Sequence, residues 1–493
     1  MGAGDIAVIG AGMSGMAAAL VLARRGRRVV LVEKKARIGA TLRGFTRGGV
    51  YFDTGLHYVG GLHEEGALFR YFRLLGLERL PLEMFDADCF DRLRFTGAGL
   101  EVPLPVGRAE TVRVLSSIFP GDAAFIRKYF TRISEIFNSS PLLSFRTDAP
   151  ELFADVESTM SLADYLAGGA ADPVLRAALS IHSLLYGVSP EETPLHQHAR
   201  IAASYLEGVG SVRGGGRALV AELEKALAGA GVKVLCGSAA EKLLVSPGRR
   251  IDAVLLEDGT EIPVEGALFT GHPRLLPPLL PEGSVKPAFR KRLLALEDTC
   301  SAYALFCKCE PVPSLVRGGN LFICPDADIT SAFRPDCDPR QGPFYVSGGG
   351  DAEADRRGLV IVAPGNAREC APYAASAPGG RPAAYARLKT ERLLDIRRQC
   401  QSHCPELSGI SVLDGATPLT FRDYLESPGC GLYGAKHSLS QFNPLPLTGI
   451  ANLWMAGQSV IAPGILGAIV SAVAACIFIL GREAVREELS ACA

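Results

Sequence analysis

The residues best placed to do chemistry together lie at the N-terminus. Gly10-Ala11-Gly12-Met13-Ser14-Gly15 has the GxGxxG spacing. In such a loop the first glycine permits a tight turn, the second lets the backbone approach a pyrophosphate, and the third lets a helix lie close to a strand. The phosphates then sit at a helix N-terminus, where free N–H groups and the helix dipole favour anions. Glu33 ends the next apolar run, where a carboxylate can accept the hydroxyls of a ribose. Together these residues predict a site for the ADP half of a dinucleotide. A carboxylate at this point disfavours a 2′-phosphate but does not choose between NAD and FAD.

The flanking residues supply the elements such a loop needs. Residues 5–9 read as a short apolar strand, 16–26 as an Ala/Leu-rich helix closing on Gly26, and 29–32 as a second strand. That is one βαβ unit with a right-handed crossover. Residues 60–205 read as mostly helical, with apolar residues at helical spacing over 67–75, 109–119 and 122–137. A helix is expected at 217–229, strands at 232–235, 242–245 and 253–256, and a hairpin turn at Asp258-Gly259. Further strands are expected at 303–308, 359–363 and 452–456, and helices over 383–400 and from Gly464 onward. The expected domains are discontinuous, with residues 1–75, 205–275 and 415–493 binding the dinucleotide and 76–204 and 276–414 forming a substrate or lid domain. The fold class is α/β: a Rossmann-type domain with an inserted α+β substrate domain.

Bulk properties exclude several functions. The net charge is -1, from 51 basic and 52 acidic residues with no basic block, so a nucleic-acid partner is not expected. Hydrophobic residues make up 48% of the chain, beside 55 glycines. That suits a large interior, an apolar ligand or contact with lipid. The 13 cysteines follow no framework spacing, and the cluster Cys400, His403, Cys404 has no second pair to complete a metal site. No metal is expected, and the thiols read as reduced, in the cytoplasm. The opening residues do not resemble a signal peptide. The apolar run 465–480, broken only by Ser471, falls short of the roughly 20 residues of a membrane span and reads as a buried helix.

Several segments carry a more specific resemblance. Glu33 to Thr41, with Gly39-Ala40, is similar to the second glycine motif of FAD-dependent oxidoreductases, with alanine in place of the second glycine. Asn452 to Gln458 resembles their late strand and Gly-Asp turn, with Gln458 in place of the acid. Phe52-Asp53-Thr54-Gly55-Leu56-His57-Tyr58-Val59-Gly60 resembles the FDTGxHYxG segment of the retinol saturase and carotenoid isomerase branch of the phytoene desaturase superfamily. Tyr186-Gly187 with Pro190 and His198-Ala199, then Tyr205, Arg213-Gly214-Gly215, Thr417 to Thr420, Tyr433-Gly434, His437, Gly457 to Val460 and Pro463 to Ala468 follow that branch in order.

The resemblance implies an amine-oxidase-like and phytoene-desaturase-like fold holding FAD beside a tunnel for a polyene or isoprenoid lipid. The implied reaction is saturation or isomerisation at a carbon–carbon double bond. Desaturation of a carotenoid precursor or polyketide chain is the alternative within enzymes, and a flavin-retaining polyisoprenoid-binding protein without turnover the alternative outside them. The implied cofactor contacts are Gly10 to Gly15, Glu33, Lys34, Gly39, Ala40, Thr41, Ala240, Gly457, Gln458, Gly464, Ile465 and Leu466. His57 is the first candidate beside the flavin ring, able to give a proton opposite hydride attack. Tyr433 and His437 come second, and Asp53 is expected to hold a turn. Gly214-Gly215-Gly216 and Gly348-Gly349-Gly350 show no strand–turn–helix context for NAD(P)H, so NAD(P)H or another external reductant is an open source of electrons. The branch carries aromatic residues and proline where this chain has Gly210-Ser211-Val212, which predicts a wider pocket if that loop lines the tunnel. Peripheral contact with the inner face of a membrane is expected through helices between 109 and 140, extended by Leu142, Leu143 and Phe145.

Overall fold

The computed structural model describes residues 5–39, 41–149, 151–152, 159–309, 313–348 and 358–492. The apolar strand Asp5–Ile9 (β1) leads through the glycine loop into helix Met13–Arg24 (α1) and strand Arg28–Glu33 (β2). The helix starts at Met13, so the second half of the glycine motif already forms its first turn. A five-stranded parallel sheet runs in the order Lys233–Cys236, β2, β1, Gly266–Phe269, Leu453–Met455. Its strands come from three distant parts of the chain. The inner strands are near-continuous Val, Leu and Ile, as in a parallel sheet covered on both faces.

One cover is α1 packed against the apolar helix Gly464–Leu480. That helix is buried from Ile465 to Cys476 except at Leu466, which faces the cavity described below. Ser471, the polar residue inside it, accepts a hydrogen bond from the Gly457 N–H at 2.9 Å. Among the described residues no helix is long and apolar enough to cross a membrane.

A seven-stranded sheet forms the floor of the second half of the molecule, in the order Ile410–Ala416, Ser301–Cys309, Gly358–Gly365, Phe344–Gly348, Asn320–Cys324, Asp91–Phe95, Leu100–Leu104. Its last two strands correct the helical reading of residues 60–205. Asp91–Phe95 alternates buried and half-buried residues, a period of two that suits an edge hairpin and not a helix. Helices do occupy Ala67–Leu74, Arg108–Ile118 and Ala123–Asn138.

Two further expectations fail for packing reasons. Gly210-Ser211-Val212 belongs to strand Val209–Val212, paired with Val59–Gly60 and Leu82–Met84, and does not line the tunnel. A Cβ at Gly210 would meet the Glu83 carbonyl oxygen at 2.5 Å, which excludes an aromatic side chain there. Leu142, Leu143 and Phe145 are buried, and so form no membrane-facing patch.

His198, fully buried on helix Leu195–Ala202, locks three segments together. Its Nε2 lies 2.7 Å from the Tyr129 hydroxyl and its Nδ1 3.0 Å from the Tyr186 hydroxyl. Tyr129 also donates to the Leu179 carbonyl at 3.1 Å, so it accepts from Nε2–H, and Nδ1 accepts from Tyr186. A neutral ring fits this arrangement, and burial pushes its pKa down to about 3 from 6.5. The unfolded chain takes up this proton near pH 6.5 and the folded protein only near 3. Between those values the unfolded state binds more protons, so stability falls with falling pH, by up to about 1.4 kcal/mol per unit from this group. Urea denaturation from pH 7.5 to 4.5 should show that loss. His198→Phe should reduce the pH slope while lowering stability at neutral pH, where two tyrosine hydroxyls lose their partner.

Candidate functional site

One cavity of about 1370 Å³ runs from the glycine loop, past His57, into the face of the seven-stranded sheet. Single-ligand sites usually enclose roughly 300–1,000 Å³, so there is room for a dinucleotide and a second ligand. Gly10, Ala11, Gly12, Met13, Ser14, Glu33 and Lys34 line one end. Thr41, Ala240, Gly457, Gln458, Gly464, Ile465 and Leu466 also line it, as do His57 and Tyr433. Ala40 lies outside the described residues.

The loop has the shape its glycines require. Gly10 has φ +102°, and a Cβ there would approach the Thr270 hydroxyl to 2.7 Å. That hydroxyl donates to the carbonyls of Ile9 and Gly10 at 2.9 and 3.0 Å, bracing the turn from the neighbouring strand end. A Cβ on Gly15 would sit 1.8 Å from the Gly10 carbonyl oxygen, so only glycine allows α1 this close to the loop. Gly12 meets nothing within 4 Å and borders the cavity, leaving space for a phosphate beside its backbone. No side chain caps α1, whose first-turn N–H groups remain for an anion. The Ser14 hydroxyl does not serve there, because it donates to the Ala468 carbonyl at 2.7 Å.

Glu33 is held by its own backbone neighbours. Ala11 N–H donates to Oε2 and Lys35 N–H to Oε1, both at 2.8 Å, which aims the carboxylate at the cavity. Lys34 pairs with Glu426. Gly39 has φ +62° and packs on Val220, and its N–H donates to the Ala11 carbonyl at 2.8 Å. These residues fit the adenosine end of a dinucleotide. At the other end Gly464, with φ +82°, opens a helix with no side-chain cap beside Gln458. A second helix N-terminus there favours negative charge on a bound ring.

Gly214-Gly215-Gly216 does have strand–turn–helix context, contrary to the reading from sequence, because it joins Val209–Val212 to helix Gly215–Gly229. The anion at that helix start is a side chain of the protein. Asp53 Oδ1 accepts from the Gly216 N–H at 2.7 Å and from the Tyr51 hydroxyl at 2.8 Å. A Cβ on Gly215 would meet the Asp53 carboxylate at 2.4 Å. Asp53 therefore closes this turn to a phosphate.

His57 projects into the cavity midway, its ring against Tyr345 with centroids 5.9 Å apart. Burial lowers its pKa to about 4, so it is neutral at pH 7. Tyr433 lies across the cavity with its hydroxyl pKa raised by burial. His437 does not line this cavity, and shares with Tyr433 only a small void behind it. It sits behind Gln458, its Nε2 3.2 Å from that residue's carbonyl oxygen, and burial lowers its pKa to about 4. Beyond His57 the wall is aromatic, with Tyr58, Tyr205 and Tyr345. Of these, Tyr58 and Tyr205 carry a motif signal in the sequence and Tyr345 carries none.

Known proteins resemble this chain at each level. An all-trans-retinol 13,14-reductase from Rattus norvegicus is 27% identical over 97% of this chain and 86% of its own length. A hydroxyneurosporene desaturase from Rhodobacter capsulatus is 28% identical over 55% of this chain and 57% of its own. The solved structure of an oxidoreductase from Methanosarcina mazei superposes with a TM-score of 0.64 at 15% identity, covering 95% of this chain and 98% of that one, which shows a shared fold. Residues 13–313, more than half of the chain, match the family described as flavin containing amine oxidoreductase. The dinucleotide that the glycine loop and Glu33 are built to hold is thus FAD, and the chain belongs to the flavin containing amine oxidoreductase family as an FAD-dependent oxidoreductase.

Proposed function

We propose that the protein reduces a carbon–carbon double bond of an apolar polyene. The observation that carries this reading is the continuous cavity, which leads from the dinucleotide loop past His57 to an aromatic wall. Similarity to an all-trans-retinol 13,14-reductase over almost the whole chain supports the substrate class. Bound FAD supplies the hydride chemistry. The protein holds the polyene flat between apolar walls, excludes water, and carries the balancing proton on a His57 ring nitrogen. Hydride on one carbon and a proton on its neighbour convert C=C to CH–CH. Each turnover would consume two electrons, for which NAD(P)H or another external reductant would be the source.

Desaturation, the reverse reaction, is a second reading, favoured by the similarity to a hydroxyneurosporene desaturase. Anaerobic mixing separates the two. A reductase oxidises its reduced flavin when a polyene is added, whereas a desaturase bleaches its oxidised flavin with the saturated chain. No flavin change with either would sink both.

Glu33→Ala should weaken FAD binding by roughly 10–100-fold, the value of charge-assisted hydrogen bonds to the ribose, read as flavin lost on gel filtration. If His57 carries the proton, kcat/KM should rise as pH falls from 7 toward 5, because the protonated ring becomes more abundant as its pKa of about 4 is approached. His57→Gln should flatten that profile and cut the rate about 100-fold with flavin content unchanged. An unaltered profile in the variant would exclude the role.

A further inference from the structure

Directly behind the aromatic wall lies a buried hydrogen-bond hub that the redox reading does not use. Asp91, on strand Asp91–Phe95, is 0% exposed. Its Oδ2 accepts from the Tyr58 hydroxyl and lies 3.0 Å from His182 Nε2, and its Oδ1 accepts from Asn320 Nδ2 at 2.8 Å. Asn320 in turn accepts, through Oδ1, the Tyr345 hydroxyl at 2.9 Å. Tyr58 and Tyr345 border the cavity, whereas Asp91, Asn320 and His182 lie outside it. The two tyrosine rings stack at 6.1 Å and 17°, and Tyr345 also meets His57. On the other side His182 packs on Tyr205 with centroids 4.8 Å apart.

A buried carboxylate is costly to desolvate unless its neighbours hydrogen-bond to it, as Tyr58, His182 and Asn320 are placed to do here. Its bonds have a direction. An ionised carboxylate only accepts, so Tyr58 must donate to it, and so must the Asn320 amide. That orientation leaves the Asn320 oxygen for Tyr345, which must donate as well. Both tyrosine protons are thereby committed to the hub and not to the cavity that the rings border.

We infer that Asp91 is a positioning residue that holds Tyr58 and Tyr345 as a rigid aromatic surface with both of their hydroxyls committed behind it, against which the apolar conjugated segment of the substrate packs beside His57. The polar end of the substrate lies elsewhere in the cavity. This inference rests on the polyene reading and adds which segment of the chain meets which wall.

The test is binding without turnover, on oxidised holoprotein. The probes are all-trans-retinol and the hydrocarbon lacking only its hydroxyl. Affinity is read by polyene fluorescence, and ring packing by the circular dichroism induced in the bound polyene. Tyr345→Phe removes the bond to Asn320, and Asp91→Asn disturbs the hub as a whole. Each should weaken both probes alike, by roughly 3–10-fold, the ordering cost of a freed side chain, and diminish the induced signal. Loss confined to the alcohol would overturn the inference, since the hydroxyls would then contact the substrate directly. A fall in Tm with both affinities and the induced signal intact would overturn it too, leaving a purely structural hub. If Asp91→Asn does not fold, Tyr345→Phe decides alone. Wild-type protein that binds neither probe would remove the polyene reading and this inference together.

Discussion

Ser14 and Ala468 are 454 residues apart in the chain and joined by a buried hydrogen bond. That contact is possible because Gly15 lets α1 lie against the dinucleotide loop and the apolar helix Gly464–Leu480 then packs on α1. Everything at the site depends on this close approach. It places two uncapped helix starts, at Met13 and at Gly464, along one cavity. It also explains the serine in an otherwise apolar helix, since Ser471 fixes the Gly457 turn from behind. A larger side chain at residue 15 would push the helix off the loop and open the FAD site from its floor.

Around that fixed half the second sheet builds a chamber of different character. The dinucleotide end offers backbone amides and a held carboxylate. The far end offers tyrosine rings backed by Asp91. Such a division suits redox chemistry on an apolar molecule, because the backbone amides and the held carboxylate fit the cofactor while aromatic rings fit the apolar chain. His57 stands at the join, its ring against Tyr345, held neutral at pH 7 by burial and without a hydrogen bond to the described residues.

Local signals made half of this legible in the sequence. Gly10 to Gly15 and Glu33 work through neighbours within one βαβ unit, so their spacing carries their geometry. Asp91 works through Tyr58, His182 and Asn320, whose separations of 33, 91 and 229 residues leave no periodic trace. The strands at Asp91–Phe95 and Leu100–Leu104 were masked by the helices around them, and only pairing with Asn320–Cys324 identifies their place in the sheet. Gly214 to Gly216 is a further case. Its sequence shows no strand–turn–helix context, the fold supplies one, and Asp53, distant in sequence, already occupies the helix start.

The central claim is that one cavity brings FAD and a polyene together beside His57. A crystal structure of the holoprotein with a bound polyene tests it most directly. The pyrophosphate should lie at Gly12 and α1, the flavin ring near Gln458 and Gly464, and the conjugated chain between His57 and the Tyr58–Tyr345 wall. A polyene bound outside this cavity, or a flavin ring turned away from His57, would contradict it.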